Sequence, residues 1–121
     1  MANFTAIIPS GSTNGRPIKV VATATAGTTV HTATNSGADV DEVWIWANAI
    51  NAAGANLSII HGTQTDMEQQ TNHRIPGGFG GSVCVMAGRR FSGGIVLTAT
   101  ASTANVINLE VNINRISNQS S

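Results

Sequence analysis

Apolar and polar residues alternate strictly near the C-terminal end of the chain. Ile107, Leu109, Val111 and Ile113 are apolar, and Asn108, Glu110, Asn112 and Asn114 between them are polar. A strand sends successive side chains to opposite faces, so this period of two predicts a long strand with one face in a core. Four apolar side chains on one face need a second layer to cover them. The opposite face carries three asparagines, which both donate and accept hydrogen bonds and so suit water or another subunit.

The same period recurs upstream. From Val40 to Ile50, one face holds Val43, Ile45, Ala47 and Ala49, and the other holds Trp44, Trp46, Asn48 and Ile50. Both faces are apolar near the tryptophans, so this strand is expected to be covered on both sides, with Asn56 to His61 returning as its hairpin partner. Ile18 to Ala26, Thr29 to Thr34, Ser82 to Ala87 and Ile95 to Ala101 read as further strands. Ile95, Leu97, Ala99 and Ala101 are expected to share one face. Phe4 to Ile8 is a short apolar piece ahead of a loop, Pro9 to Pro17, whose Asn14-Gly15 pair tolerates positive φ. Gly62 to His73 reads as a long loop or irregular edge strand in which Met67 to Gln70 could form one helical turn. Ile75 to Gly81 and Gly88 to Gly94 read as turns.

About eight short strands at roughly 8–12-residue spacing predict an all-β, single-domain antiparallel β-sandwich, jelly-roll-like in layout. The expected organisation is an N-terminal arm or first strand plus loop over 1–16, the sandwich over 17–116 and a polar tail over 117–121. A chain of 121 residues is long enough for one real core.

Composition narrows the function. Charged residues make up 10% of the chain, against about 25% in ordinary domains, and the six basic and six acidic side chains cancel. Nucleic acid requires clustered Lys and Arg, which are absent, and a membrane surface requires a polybasic segment. No apolar run approaches the length of a membrane span, and no charged segment followed by an apolar core marks a signal peptide. Cys84 is alone, so no intrachain disulfide is expected. Between Val83 and Val85 it reads as a small buried hydrophobe, consistent with folding in a reducing cytoplasm.

Candidate chemistry is sparse. His31, His61 and His73 fall in no metal-ligand spacing, and Asp39-Val40-Asp41-Glu42 lacks the spacing and glycine of a calcium loop and reads as a solvated turn. The glycine cluster Gly77 to Gly81 precedes no Lys-Ser/Thr and opens no helix, so it does not cradle phosphate. There is no nucleophile elbow, and Asp66 with Glu68 reads as a solvated pair rather than a catalytic dyad. No enzyme, no cofactor and no metal are expected.

The tryptophans stand apart. Aromatics are 4% of the chain, yet Trp44 and Trp46 fall on one side of one strand. They can pack between the sheets, anchor a protein partner or stack on a ligand such as a sugar. Arg89-Arg90-Phe91 is a second candidate contact. It reads as a turn tip whose guanidinium groups can pair with a neighbour's carboxylate.

The run from Ile95 to Ile116, with Thr29 to Ala33 and Asp41 to Asn48 upstream, resembles the Ala/Thr/Asn-rich strands of small virion proteins of tailed bacteriophages. That resemblance implies a β-sandwich capsid decoration, or cement, protein on the shell exterior, commonly a homotrimer. It would be folded in the host cytoplasm and bound to the major capsid protein. On that reading Phe4, Ile7 and Ile8 form a docking arm, Trp44 and Trp46 lie at a subunit interface, and Arg89 and Arg90 add partner contacts. The alternatives are a tail or receptor-binding virion component and a carbohydrate-binding β-sandwich module.

Overall fold

A computed structural model describes residues 3–24, 27–62, 70–78 and 82–117, apart from the side chain of Asn3. Met67 to Gln69, Asp66 and Phe79 to Gly81 lie outside the described residues, as does the tail beyond Ser117. The described elements are nine strands: β1 (Asn3–Ile7), β2 (Ile18–Lys19), β3 (Thr28–Thr32), β4 (Val40–Ala49), β5 (Ala55–His61), β6 (Gln70–Ile75), β7 (Val83–Phe91), β8 (Val96–Ala101) and β9 (Ile107–Ser117). All pairings are antiparallel.

One sheet has the order β1-β9-β4-β7, with β2 also on β9, and the other has the order β3-β8-β5-β6. From β2 onward every connection crosses between sheets except the β5–β6 hairpin, which is the jelly-roll layout. β4 therefore pairs with β9 and β7, and β5 belongs to the opposite sheet. The expected β4–β5 hairpin is a sheet-to-sheet crossover instead. The Asn51-to-Gly54 turn has to lead across the sandwich, with Asn51 Oδ1 accepting the Gly54 amide at 2.9 Å.

The core follows the alternation. Val43, Ile45, Ala47 and Ala49 of β4 and Ile107, Leu109 and Ile113 of β9 face Leu57 and Ile59 of β5 and Leu97, Ala99 and Ala101 of β8, all buried. Val111 packs partly buried against this cluster. Ile95 lies just ahead of β8 and is exposed, contrary to expectation.

Two elements differ from the sequence expectation for physical reasons. Among the described residues of the expected Ile18–Ala26 strand, only Ile18 and Lys19 pair in the ladder, and Thr25 and Ala26 lie outside the described residues. Beyond them the Thr28 hydroxyl accepts the amides of Val21 and Ala22, each at 3.1 Å, and takes the place of a sheet partner. Gly88 does not end β7. The strand runs on to Phe91 because its extra residues are absorbed as bulges against β4, with Gly88 at φ 67° inside one of them. At the end of the segment read as a long loop or irregular edge strand, Gln70 to His73 belongs to the edge strand β6, as one of those alternatives had it, and residues 63–69 lie outside the described residues.

A charged group also lies in the interior. Asp41, expected in a solvated turn, is fully buried. Its carboxylate accepts from Arg115 Nε at 2.8 Å and Nη2 at 3.0 Å, from His31 Nε2 at 2.7 Å and from the Thr34 amide at 3.0 Å. Burial alone would push this carboxyl up. The hydrogen bonds from Arg115 and His31, the Arg115 charge and the Thr34 amide outweigh it, and hold the group below its ordinary 3.8. His31 Nδ1 accepts the Ser10 amide at 3.1 Å, so Nε2 carries the proton that bonds Asp41. The knot ties the N-terminal loop, β3, β4 and β9 together.

Candidate interaction face

Side chains on the outer face of the five-stranded sheet follow from register. Val43 and Ile45 point inward, so Glu42, Trp44 and Trp46 point out. Their cross-strand partners on β9 are Asn114, Asn112 and Glu110. Ala6 pairs with Asn114 and Phe4 with Ile116, which brings the first strand onto the same face. Cys84 pairs with Trp46, points outward and is exposed, not buried. The bulge beside it shifts the inward parity onto Val85 and Met86.

The tryptophans are thus not packed between the sheets. They are half-buried, and their rings stack with centroids 6.2 Å apart and planes 11° from parallel. Trp44 is fixed from two sides. Its indole N–H donates to Glu42 Oε1 at 3.0 Å. Its six-membered ring lies against Gly88, where an added Cβ would stand 3.0 Å from Cζ2. Glu42 also accepts from Asn114 at 3.5 Å and faces Arg90 at 3.6 Å. The Trp44 hydrogen bond comes first among the influences that hold its carboxyl below the ordinary value.

Beside the stacked rings is an open depression of about 400 Å³ lined by Ala6, Ile7, Trp44, Trp46, Asn112 and Asn114. Its chemistry is aromatic and amide; at its margin Glu42 and Arg90 face each other, and Glu110 lies exposed opposite Trp46. Phe4 (66% exposed) extends this face along β1, and Ile8 (58% exposed) follows the end of the strand.

Of the predicted contact residues, the fold brings Phe4, Trp44, Trp46 and Arg90 to one face. Ile7 lines the depression while packing against the core. Arg89 goes elsewhere: its guanidinium lies 5.6 Å from the centre of the Phe91 ring, which is buried and meets His61 edge-on at 5.3 Å. Arg89-Arg90-Phe91 is therefore strand, not turn tip. Glu42 and Gly88 belong to the face and were not singled out as contacts, whereas Asn112 and Asn114 were read as suited to water or another subunit. The parity that put the tryptophans outward already placed Glu42 with them.

The outer face of the other sheet is different. A depression of about 440 Å³ there is bordered by Asn56, Ser58, Asn72 and Arg74. These polar groups satisfy one another: Ser58 meets Asn72 at 2.6 Å, and Arg74 reaches Asn56 at 3.3 Å and the Ala53 carbonyl at 2.6 Å. Among the described residues no group of three or more His, Cys, Asp or Glu side chains stands together as metal ligands would.

No family model matches the chain, and no curated protein matches it. Among solved structures, it is similar to the crystallographic structure of the Clostridium thermocellum N-terminal endo-1,4-β-D-xylanase 10B CBM22-1–GH10 modules complexed with xylohexaose. The identity is 12% and the TM-score 0.39, over 99% of this chain and 25% of that one. The chain thus spans about a quarter of that protein's length.

Proposed function

We propose that the protein is a bacteriophage virion structural protein, a capsid decoration or cement protein. It binds the shell exterior and bridges neighbouring major capsid subunits. The observation that carries this reading is the convergence of Phe4, Trp44 and Trp46 on one open sheet face beside the amides of Asn112 and Asn114. Tryptophan is enriched where interfaces concentrate their binding energy, and rigid aromatics lose little entropy on docking. Many such contacts repeated over a symmetric shell add through avidity. The resemblance of the chain's Ala/Thr/Asn-rich strands to small phage virion proteins points the same way, and self-association as a homotrimer accompanies it.

The test is co-sedimentation with assembled shells of the major capsid protein. Trp44→Ala combined with Trp46→Ala is expected to weaken shell binding at least about tenfold, the effect of losing a hot spot. Unchanged shell binding and unchanged self-association in that variant would sink the reading of this face. Gold labelling in negative stain separates shell from tail: label on the tail tip would favour a receptor-binding component instead.

A second reading has its own observation. Parallel indoles beside Asn112 and Asn114 suit the apolar face and hydroxyls of a sugar ring. Saturable quenching of tryptophan fluorescence by a neutral oligosaccharide, lost in Trp46→Ala, would favour a carbohydrate-binding module over the capsid role.

A further inference from the structure

We infer that β1 is an exchangeable arm that pairs with β9 of a second copy of this chain, in the register it takes here within one chain. The strand gains little from its own subunit. Phe4, Thr5, Ala6 and Ile8 are exposed, and Ile7 alone packs against the core. What holds β1 is the backbone ladder of five pairs, from Asn3↔Ser117 to Ile7↔Ile113.

The loop behind it is fastened independently. Pro9 is buried. The Ser10 amide donates to His31 Nδ1, the Thr32 amide to Ser10 Oγ at 2.7 Å, and the Gly11 amide to the Val30 carbonyl at 3.0 Å. These bonds cross to β3 of the other sheet and do not involve β1, so they persist when β1 leaves β9. The pivot falls at Ile8. A residue before proline is held extended, so the arm leaves the pivot as a straight strand.

The acceptor is specified as well. Exchange between identical copies remakes every ladder bond on the partner's β9, so the backbone loses nothing, and such swaps are a low-cost route to oligomers. The exchanged strand meets the same β9 residues that it meets here, so its contacts are equal in the two forms and protein concentration decides between them. Residues 3–8 carry no charge and no proline, the devices that keep an edge strand from pairing with another chain. The inference needs only copies of this chain and does not depend on binding to a shell.

The test uses Cys84→Ser with Ala6→Cys and Asn114→Cys. Directly opposed antiparallel residues have Cα atoms about 4.5–5.5 Å apart, within disulfide reach. After oxidation of the dilute protein, exchange predicts covalent dimers or larger species on a non-reducing denaturing gel. A purely intrachain disulfide, seen as a monomer band with its thiols consumed, overturns the inference. Deletion of residues 1–8 gives a readout that needs no cysteines. Light scattering is expected to show an oligomer for the full chain and a folded monomer for the deletion. A monomeric full chain, or an oligomer of unchanged mass after deletion, overturns it.

Discussion

Asp41 shows what alternation can and cannot tell at the scale of one residue. Stepping back by two from Val43 puts position 41 inward, yet a carboxylate in an acidic cluster reads as solvent-facing because unpaired burial is so unfavourable. Its partners reverse that judgement, and one of them, Arg115, lies 74 residues away, out of reach of any local pattern. Breaking a buried ionic group by removing one member strands the others. Asp41→Ala is therefore expected to lower unfolding free energy by about 3 kcal/mol in urea titrations. Arg115→Ala should cost less, because Arg115 is 35% exposed. Acid adds a second signature. The folded-state pKa of Asp41 is depressed, so its contribution is complete above the ordinary 3.8 and fades as pH falls through the lower folded value.

His61 and His73 titrate earlier. Burial pushes both below the ordinary 6.5, with the Arg89 charge adding to the effect on His61. Above 6.5 both folded and unfolded chains carry neutral imidazoles. Below it the unfolded chain takes up protons that the folded one resists, so stability declines as pH drops from about 6.5 toward the folded values. His61 Nε2 is buried without a partner. His61→Leu is thus expected to hold stability near pH 7.5 within about 1 kcal/mol and to flatten part of the decline below 6.5. Urea midpoints across that range decide it, and an unchanged slope would refute the assignment.

Among the elements, β4 and β9 were legible because an unbroken period of two leaves one register with a buried face. β7 was not, since its parity changes at bulges and its Gly88 looks like a terminator. The tryptophan pair was legible as a pair, but whether it faced the core or the outside depended on strand order, which the sequence does not encode locally. Gly88 connects the two problems. Its φ of 67° disfavours any Cβ, and that Cβ would press on Trp44. Gly88→Ala is expected to cost about 1 kcal/mol from backbone conformation alone. A shift in tryptophan emission should accompany it as the Trp44 ring moves off its bed. Loss of stability with unchanged emission would mean that Gly88 serves the bulge and not the ring. Gly11 is constrained differently: an added Cβ would run into the backbone carbonyl of Thr29, so the loop's crossing to β3 admits no side chain there.

At the scale of the whole molecule, the sparse and balanced charge becomes a statement about how the protein associates. Six basic and six acidic residues give no net field to steer a partner. On the candidate face Glu42 and Arg90 already face each other at 3.6 Å, and Arg90 is 55% exposed, so the pair itself adds little, which leaves Glu110 opposite Trp46 as the exposed charge there. Burial of Phe4, Trp44 and Trp46 with hydrogen bonding by Asn112 and Asn114 would then supply the binding energy on the capsid reading. Such contacts are not screened by salt, whereas ionic ones weaken as the Debye length shrinks from roughly 14 Å to about 4 Å between about 0.05 and 0.5 M salt. Shell binding measured over that range is expected to change by less than about threefold. A tenfold loss would move the interface away from this face and onto the charged residues elsewhere, with Arg16, Lys19, Arg74 and Arg89 the exposed cations. Repeating the titration with Trp46→Ala distinguishes a weakened apolar contact, which stays flat in salt at lower affinity, from a second ionic site that the tryptophans had masked.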